Sequence, residues 1–207
     1  MLVNYTITEF SKELSSSSPA PGGGSVAALN GVLAASLMVM VCNLTIGREK
    51  YKNDEVLFRE IREKAASLQD AFLKLVDDDT MAFNMVMSAY QLPKNTEDEK
   101  SIRLQSIQDA TMKATQVPLV TALKSLEALR LAPLIAKKGN TNAISDIGVA
   151  VCQAEAALQG AVLNVKINLS MIKDQVFVKT VLNQVTDYQN EGMKLKEETM
   201  SIVQAIM

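Results

Sequence analysis

Apolar side chains recur every three or four residues along most of the chain, a spacing that places them on one face of an α-helix. Between Asp54 and Leu92 this period continues without glycine or proline, which indicates one long helix or two nearly collinear ones. No stretch alternates apolar and polar residues for long enough to predict a strand. The pattern therefore predicts an all-α protein.

Capping residues indicate where individual helices begin. Thr6–Glu9 and Thr96–Glu99 each have the capping-box pattern, so we expect a helix to start after each threonine. The pattern after Thr96 reaches Lys138. Two prolines in this stretch are expected to kink or divide the helix: Pro118 and Pro133.

The remaining helices are predicted from near Ser145 to about Met171 and from Asp174 to near the C-terminus. With a short helix after Thr6, this gives a bundle of about six helices. No linker divides it, so residues 1–207 are expected to form a single domain.

One predicted helix, Val26–Ile46, is long, apolar and rich in small residues. Ser25 is a natural N-cap and Gly47 a natural stop for it. At 1.5 Å per residue it would be about 31 Å long, enough to span a bilayer. Its alanine, glycine and serine content suits tight contact between helices, and no basic flank precedes it. We therefore expect a buried helix and no membrane partner.

Composition narrows the classes of function. The net charge is −2 and no block of Lys or Arg stands out, so no nucleic-acid partner is expected. The chain has no histidine, which excludes Ser-His and Cys-His catalysis and histidine metal ligands. We expect no metal site. Acid–base chemistry must then fall to Asp, Glu, Lys, Tyr, Cys or water.

The first 18 residues lack the basic-then-apolar order of a signal peptide. Cys42 and Cys152 lie in apolar helical stretches and do not form a CxxC motif. Both are expected to be buried thiols in a reducing cytoplasm, where we expect the protein to be located.

A glycine-rich loop precedes the apolar helix. Gly22, Gly23 and Gly24 permit positive φ and let a ligand approach the backbone, and Ser25 follows them. The free N–H groups at the start of the next helix favour a negative group there. The structural alternative is a tight turn into a buried helix.

Three consecutive acids form a second candidate site. Helical neighbours point about 100° apart, so Asp77, Asp78 and Asp79 cannot form one carboxylate cluster. Asp79 falls within the apolar stripe, whereas Asp77 and Asp78 should point towards polar neighbours such as Lys74. An acid in an apolar stripe needs a partner, and its burial favours the protonated form. Asp79 is therefore the functional candidate, with a buried structural aspartate as the alternative. The stripe consists of Leu68, Phe72, Leu75, Val76, Phe83 and Val86.

The third candidate is a polar group on the helix that follows the Gly139–Asn142 loop. Ser145 and Asp146 lie at its start, where either could cap it. Amides and a glycine then share one face of this helix, which suits either close packing or the hydrogen-bonding edge of a heterocycle such as a pterin. They are Gln153, Gly160, Asn164 and Asn168.

Together these segments resemble the cyclodeaminase/cyclohydrolase family, which includes the C-terminal domain of formiminotransferase-cyclodeaminase and stand-alone bacterial relatives. The matching blocks stand in family order from about Tyr5 to Phe177. They are Pro21–Ala28, Leu44–Arg48, Leu75–Asp79 with Ala82 and Phe83, Leu92–Thr96 with Arg103, Gly139–Asn140, Ser145–Asp146 and Gly160–Leu169.

The resemblance implies an all-helical homodimer that closes 5-formiminotetrahydrofolate to 5,10-methenyltetrahydrofolate and releases ammonia. Some stand-alone relatives instead hydrolyse the methenyl compound to 10-formyltetrahydrofolate. The family's catalytic aspartate falls on Asp79. The glycine loop, Gly22–Ser25, and the region of Asn142, Ser145 and Asp146 are implied to line the folate site, together with Asn164 and Asn168.

An acidic protein that binds an anion needs local positive charge. Arg48, Lys50 and Lys94 are therefore candidates for binding the folate's glutamate carboxylates, although Glu49 interrupts the basic run. No cofactor beyond the tetrahydrofolate substrate is expected. The alternative from another class is a non-catalytic dimerisation or scaffold protein, in which Val26–Ile46 serves wholly as an interface.

Overall fold

The computed structural model describes residues 1–207 and contains six α-helices, three short 3₁₀ turns and no strand. This confirms the predicted all-α class and the predicted number of helices. The helices are α1 (Ile7–Leu14), α2 (Gly23–Thr45), α3 (Glu55–Tyr90), α4 (Glu97–Lys138), α5 (Ile144–Leu169) and α6 (Gln175–Ile206). The 3₁₀ turns are Leu2–Asn4, Glu49–Asp54 and Thr141–Ala143.

Helix α2 lies at the centre of the bundle and packs against α3, α4 and α5. Small residues allow this close packing. A Cβ at Gly31 would overlap the ring of Phe72 on α3, and a Cβ at Gly160 on α5 would lie 3.0 Å from the Cβ of Ala27. By length and composition alone, α2 could cross a membrane, and 56% of its most apolar window is buried within the bundle.

Helix α4 is continuous across both of its prolines. Of the two expected outcomes at Pro118 and Pro133, a kink or a division of the helix, division is therefore wrong. A proline inside a helix costs about 3 kcal/mol, because it removes one backbone hydrogen bond and crowds the preceding turn. Both rings are buried, and α4 packs along α3, α5 and α6. This tertiary packing offsets the local cost.

Two predicted caps are also wrong. Gly22, and not Ser25, is the N-cap of α2, so Ser25 lies inside the first turn with its hydroxyl free to bond elsewhere. Ala143 is the N-cap of α5, and neither Ser145 nor Asp146 caps that helix. The two capping boxes, at Thr6 and Thr96, form as predicted.

The two cysteines differ in environment. Cys42 is fully buried on α2, and burial raises the pKa of its thiol to about 11. Cys152 on α5 is exposed, which contradicts the expectation that both thiols are buried. Its helix face points out of the bundle, on the side of α5 that carries the exposed Val149.

Candidate active site

A cavity of about 370 Å³ opens where the start of α2 meets the second half of α3 and the end of α5. Its floor is the glycine loop and Asp79, and most of its walls are apolar. It is lined by Pro19, Ala20, Gly22, Gly23, Gly24, Asp79, Ala82, Phe83, Val86, Met87, Tyr90, Ala114, Asn164, Ile167, Asn168 and Met171. A few polar groups in an apolar concave site are typical of a small-molecule site.

Asp79 is half-buried and directs its carboxylate at the first turn of α2. The Ser25 hydroxyl donates to Oδ2 of Asp79 over 3.0 Å. A Cβ at Gly24 would lie only 2.5 Å from Cγ and 2.7 Å from Oδ2 of Asp79, closer than real Cβ contacts allow. Gly24 is thus required because the carboxylate occupies the place of its side chain.

The glycines act through close approach and not through unusual backbone angles. None of Gly22, Gly23 and Gly24 has positive φ, and the one glycine that does is Gly47, at the predicted end of α2. The expected use of positive φ in this loop is therefore wrong, and the expected approach of a ligand stays a prediction. A negative group does lie against the glycine backbone. That group is the protein's own Asp79.

Two opposing effects set the protonation of Asp79. Burial raises the pKa of its carboxyl above the ordinary value for an aspartate, and hydrogen bonds from the side chain and backbone of Ser25 partly oppose this rise. The free N–H groups and dipole at the start of α2 also favour the charged form. A carboxyl balanced in this way can release and accept a proton more readily than a surface aspartate.

The Ser25 hydroxyl lies close to two strong acceptors and, at 3.5 Å, to the Thr80 hydroxyl. It is fully buried and lies 3.0 Å from both the Val76 carbonyl and Oδ2 of Asp79. A hydroxyl has one proton to donate. It can donate to ionised Asp79, or donate to Val76 and accept from protonated Asp79. Both protonation states of Asp79 are therefore satisfied without movement of the backbone.

The other two acids of the triplet do not reach the cavity. Asp78 forms an exposed ion pair with Lys74, as predicted. Asp77 does not point to solvent. One of its oxygens accepts from the Leu2 backbone N–H, and the other is buried without a hydrogen-bond partner. The N-terminal 3₁₀ turn covers it, and the helical period of α3 alone could not indicate that contact.

The amides at the end of α5 reach the cavity as predicted. Asn164 and Asn168 line it, and the Asn164 amide donates to the Gly160 carbonyl over 2.8 Å. A Cβ at Gly23 would lie 3.5 Å from that amide nitrogen, which places Asn164 directly beside the glycine loop. The rest of the amide, including its oxygen, is available to a ligand.

The other predicted binding residues lie elsewhere. Arg48, Lys50 and Asn142 line a separate surface depression beyond the far end of α2, about 33 Å along the helix from Gly23. Ser145 and Asp146 lie about 28 Å along α5 from Asn164. Within one chain these five residues cannot contact a ligand at Asp79, so the prediction that they share its site is not supported. Residue type and motif pointed to all five, but neither gives the distance of a residue from Asp79 in the folded chain.

Lys94 lies outside the cavity, in the exposed connection between α3 and α4. It is only four residues after Tyr90, which does line the cavity. Its predicted role in binding an anion stays a prediction.

Sequence reasoning missed the cavity walls. Phe83 and Val86 were assigned to the core stripe, and Met87, Tyr90 and Met171 were not selected at all. For Phe83 and Val86 the sequence did carry a sign of the cavity. The apolar stripe of α3 continues past the point where a neighbouring helix can cover it, so these two side chains are left to form a wall.

Ser25→Ala should raise the pKa of Asp79 further, because it removes a hydrogen bond that favours the carboxylate while the burial remains. A carbon-13 NMR titration of the Asp79 carboxyl measures this. Ser36→Ala is a matched control, since Ser36 is also on α2 but bonds to Val32 and Gln69. An unchanged or lower pKa of Asp79 in Ser25→Ala would show that Ser25 does not stabilise the carboxylate.

Comparison with known proteins gives consistent matches over nearly the whole chain. The chain is 42% identical over 205 residues to a methenyltetrahydrofolate cyclohydrolase of Methylorubrum extorquens, covering 99% of each. It is 32% identical over 191 residues to the formimidoyltransferase-cyclodeaminase of Rattus norvegicus, and this match spans 92% of the chain but 35% of the rat protein.

A solved structure gives the same answer for the fold. The crystal structure of formiminotetrahydrofolate cyclodeaminase from Thermotoga maritima superposes with a TM-score of 0.89 at 26% identity, covering 100% of this chain and 99% of the other. The family model described as formiminotransferase-cyclodeaminase matches residues 6–187. The resemblance carried by the motifs is therefore confirmed, and the chain belongs to the formiminotransferase-cyclodeaminase family.

Proposed function

We propose that this protein is an enzyme of folate one-carbon metabolism that acts on the carbon joining N5 and N10 of tetrahydrofolate. One observation carries the proposal. A partly desolvated carboxylate, Asp79, lies on the floor of an apolar cavity, with its proton affinity set by burial and by Ser25. Both family reactions need a proton acceptor and donor beside that carbon.

Hydrolysis of 5,10-methenyltetrahydrofolate removes both protons from one water molecule. Ionised Asp79 accepts the first proton as the water oxygen bonds to the methenyl carbon, which leaves a hydroxyl on that carbon. The carbon–N5 bond then breaks as the hydroxyl releases its remaining proton to solvent and becomes the carbonyl, and the proton held by Asp79 passes to N5, giving 10-formyltetrahydrofolate. The methenyl group is cationic, so a nearby carboxylate also stabilises it in the dry cavity.

In cyclodeamination Asp79 again acts first as proton acceptor and then as proton donor, but different bonds form and break. N10 attacks the carbon of the protonated formimino group, whose nitrogen becomes an amine (NH2), and Asp79 carries the proton lost by N10 to that amine nitrogen. The carbon–nitrogen bond to that amine breaks, and ammonia leaves with the methenyl bridge formed. The cavity must hold N10 against the carbon, which is an orientation effect of the walls.

The relatives favour hydrolysis as the first candidate. The Methylorubrum cyclohydrolase matches this chain over 99% of both lengths at 42% identity. The match to the rat relative covers only 35% of that longer protein, at 32% identity. Cyclodeamination is the second candidate, favoured by the stand-alone Thermotoga structure of similar length.

One assay separates the two reactions. The purified protein is incubated with each folate in turn, while methenyl absorbance and ammonia are followed together. Loss of methenyl absorbance without ammonia supports hydrolysis, whereas ammonia release with a gain in absorbance supports cyclodeamination. Turnover of neither compound would contradict the proposal and favour the non-catalytic scaffold.

Asp79→Asn should lower kcat by about 10²–10⁴-fold, because the amide cannot transfer a proton. The same variant should be more stable than the wild type near neutral pH. The pKa of Asp79 is raised in the folded state, so the folded protein binds the proton more tightly than the unfolded chain. Stability is therefore lost as pH rises through the folded pKa.

The stability gain of Asp79→Asn should disappear below about pH 4, where the carboxyl is protonated in both states. Thermal melting across pH and steady-state kinetics measure the two effects. Asp78→Asn is the matched control, since its carboxylate pairs with Lys74 outside the cavity. Near-normal activity in Asp79→Asn would refute the assigned role.

We also propose a cytoplasmic homodimer formed through the outer faces of α2 and α5. Helix α2 carries no charged residue, and these adjacent faces expose large apolar side chains. These are Leu33 (46% exposed), Met40 (36%), Leu44 (38%), Val149 (50%) and Leu163 (67%). An apolar surface that is shared by two packed helices, one of them without any charged residue, suits contact with its own copy.

Leu33→Glu should convert the dimer to a monomer, because it buries a charge at the centre of the proposed interface. Sedimentation velocity measures the mass in solution. Val56→Glu is the control, since Val56 is 73% exposed on α3, a helix that contributes no side chain to this surface as defined. A monomeric wild type, or equal dissociation of both variants, would refute the proposed interface.

A further inference from the structure

We infer that Arg103 binds the glutamate carboxylate of the folate at the outer end of the cavity. This rests on the proposed function, and it names the cation that the site requires. No lysine or arginine lines the cavity. Arg48 and Lys50 lie in a separate depression beyond the far end of α2. A substrate with a carboxylate tail therefore has to find its positive partner at the cavity rim.

Arg103 is fixed at that rim by Tyr90. Its Nε and Nη2 donate to the Tyr90 carbonyl over 3.1 and 2.9 Å, and its guanidinium carbon lies 5.5 Å from the centre of the Tyr90 ring. Tyr90 itself lines the cavity. Stacking and two hydrogen bonds hold the guanidinium in place before any ligand arrives, which lowers the entropy cost of binding.

The arginine keeps free donors. A guanidinium has five N–H groups, two are used on Tyr90, and three are therefore left. Arg103 forms no ion pair: the acid one turn earlier on α4, Glu99, accepts from the backbone of Asn95 and Thr96 in the capping box. A preorganised arginine with no acidic partner is suited to bind a carboxylate.

The spacing along α3 fits the shape of the substrate. Asp79 and Tyr90 are 11 residues apart, which is about 16 Å along the helix. Phe83, Val86 and Met87 line the cavity between them. With the reactive carbon at Asp79, the aminobenzoyl ring lies along this apolar wall and the glutamate reaches Arg103. The part of the folate between N10 and the glutamate carboxylates has a length comparable to this distance between Asp79 and Tyr90.

The test compares two ligands that differ only in the glutamate, tetrahydrofolate and tetrahydropteroate. Calorimetry on Arg103→Gln should give a dissociation constant about tenfold or more weaker for tetrahydrofolate, the loss expected for hydrogen bonds to a charged group. Affinity for tetrahydropteroate should not change. Arg103→Lys should recover part of the loss.

Two further variants are controls. Lys100→Gln removes a charge from the same helix, where it pairs with Glu97, and should leave both affinities unchanged. Lys94→Gln tests the cation that lies four residues after Tyr90 in the sequence. Equal weakening of both ligands by Arg103→Gln would show that the arginine only caps α3, and would overturn the inference. The same ligand discrimination in Lys94→Gln but not in Arg103→Gln would also overturn it.

Failure of the proposed function gives a different result. If the wild type binds neither tetrahydrofolate nor tetrahydropteroate, the folate site itself is refuted, and the inference falls with it. If both bind to the wild type and Arg103→Gln changes neither affinity, the folate site stands and only the role of Arg103 is wrong.

Discussion

The contact between the Asp79 carboxylate and the backbone of Gly24 is the constraint on which the site depends. It requires a residue without a side chain at the start of α2 and a helix α3 that runs unbroken beneath it. The same crossing needs small residues further along α2, where Gly31 admits the ring of Phe72. Packing and chemistry therefore both require small residues on α2. The close approach of α2 to α3 is what places Asp79 against the glycines.

This contact also sets the electrostatics of the site. Burial raises the proton affinity of Asp79, while Ser25 and the free N–H groups of α2 lower it again. Ser25 can do so because it is inside the helix and not its cap, with its hydroxyl between Val76 and Asp79. The protein thus holds a proton acceptor in a largely apolar cavity at a cost in stability, as functional sites commonly do.

Helical periodicity in the sequence predicted which face of α3 each aspartate occupies, but it could not predict distances between residues on different helices. The stripe on α3 placed Asp79 towards the core and Asp78 towards Lys74, since a helical period fixes which face a side chain shares. It could not show that the N-terminal turn covers Asp77. Arg48 and Lys50 were selected because an anion needs a cation, but residue type carries no distance, and the length of α2 places them far from the cavity.

A single carboxylate can serve both family reactions because each moves one proton past the same carbon. The nucleophile is what differs: it is water in hydrolysis and the substrate's own N10 in cyclodeamination. Hydrolysis therefore needs a water molecule beside Asp79, and cyclodeamination is best served when water is kept out. Asp79 is half-buried and not sealed, so water can reach it in the free protein. Which reaction dominates then depends on how completely the bound folate fills the space between the glycine loop and the apolar wall of α3.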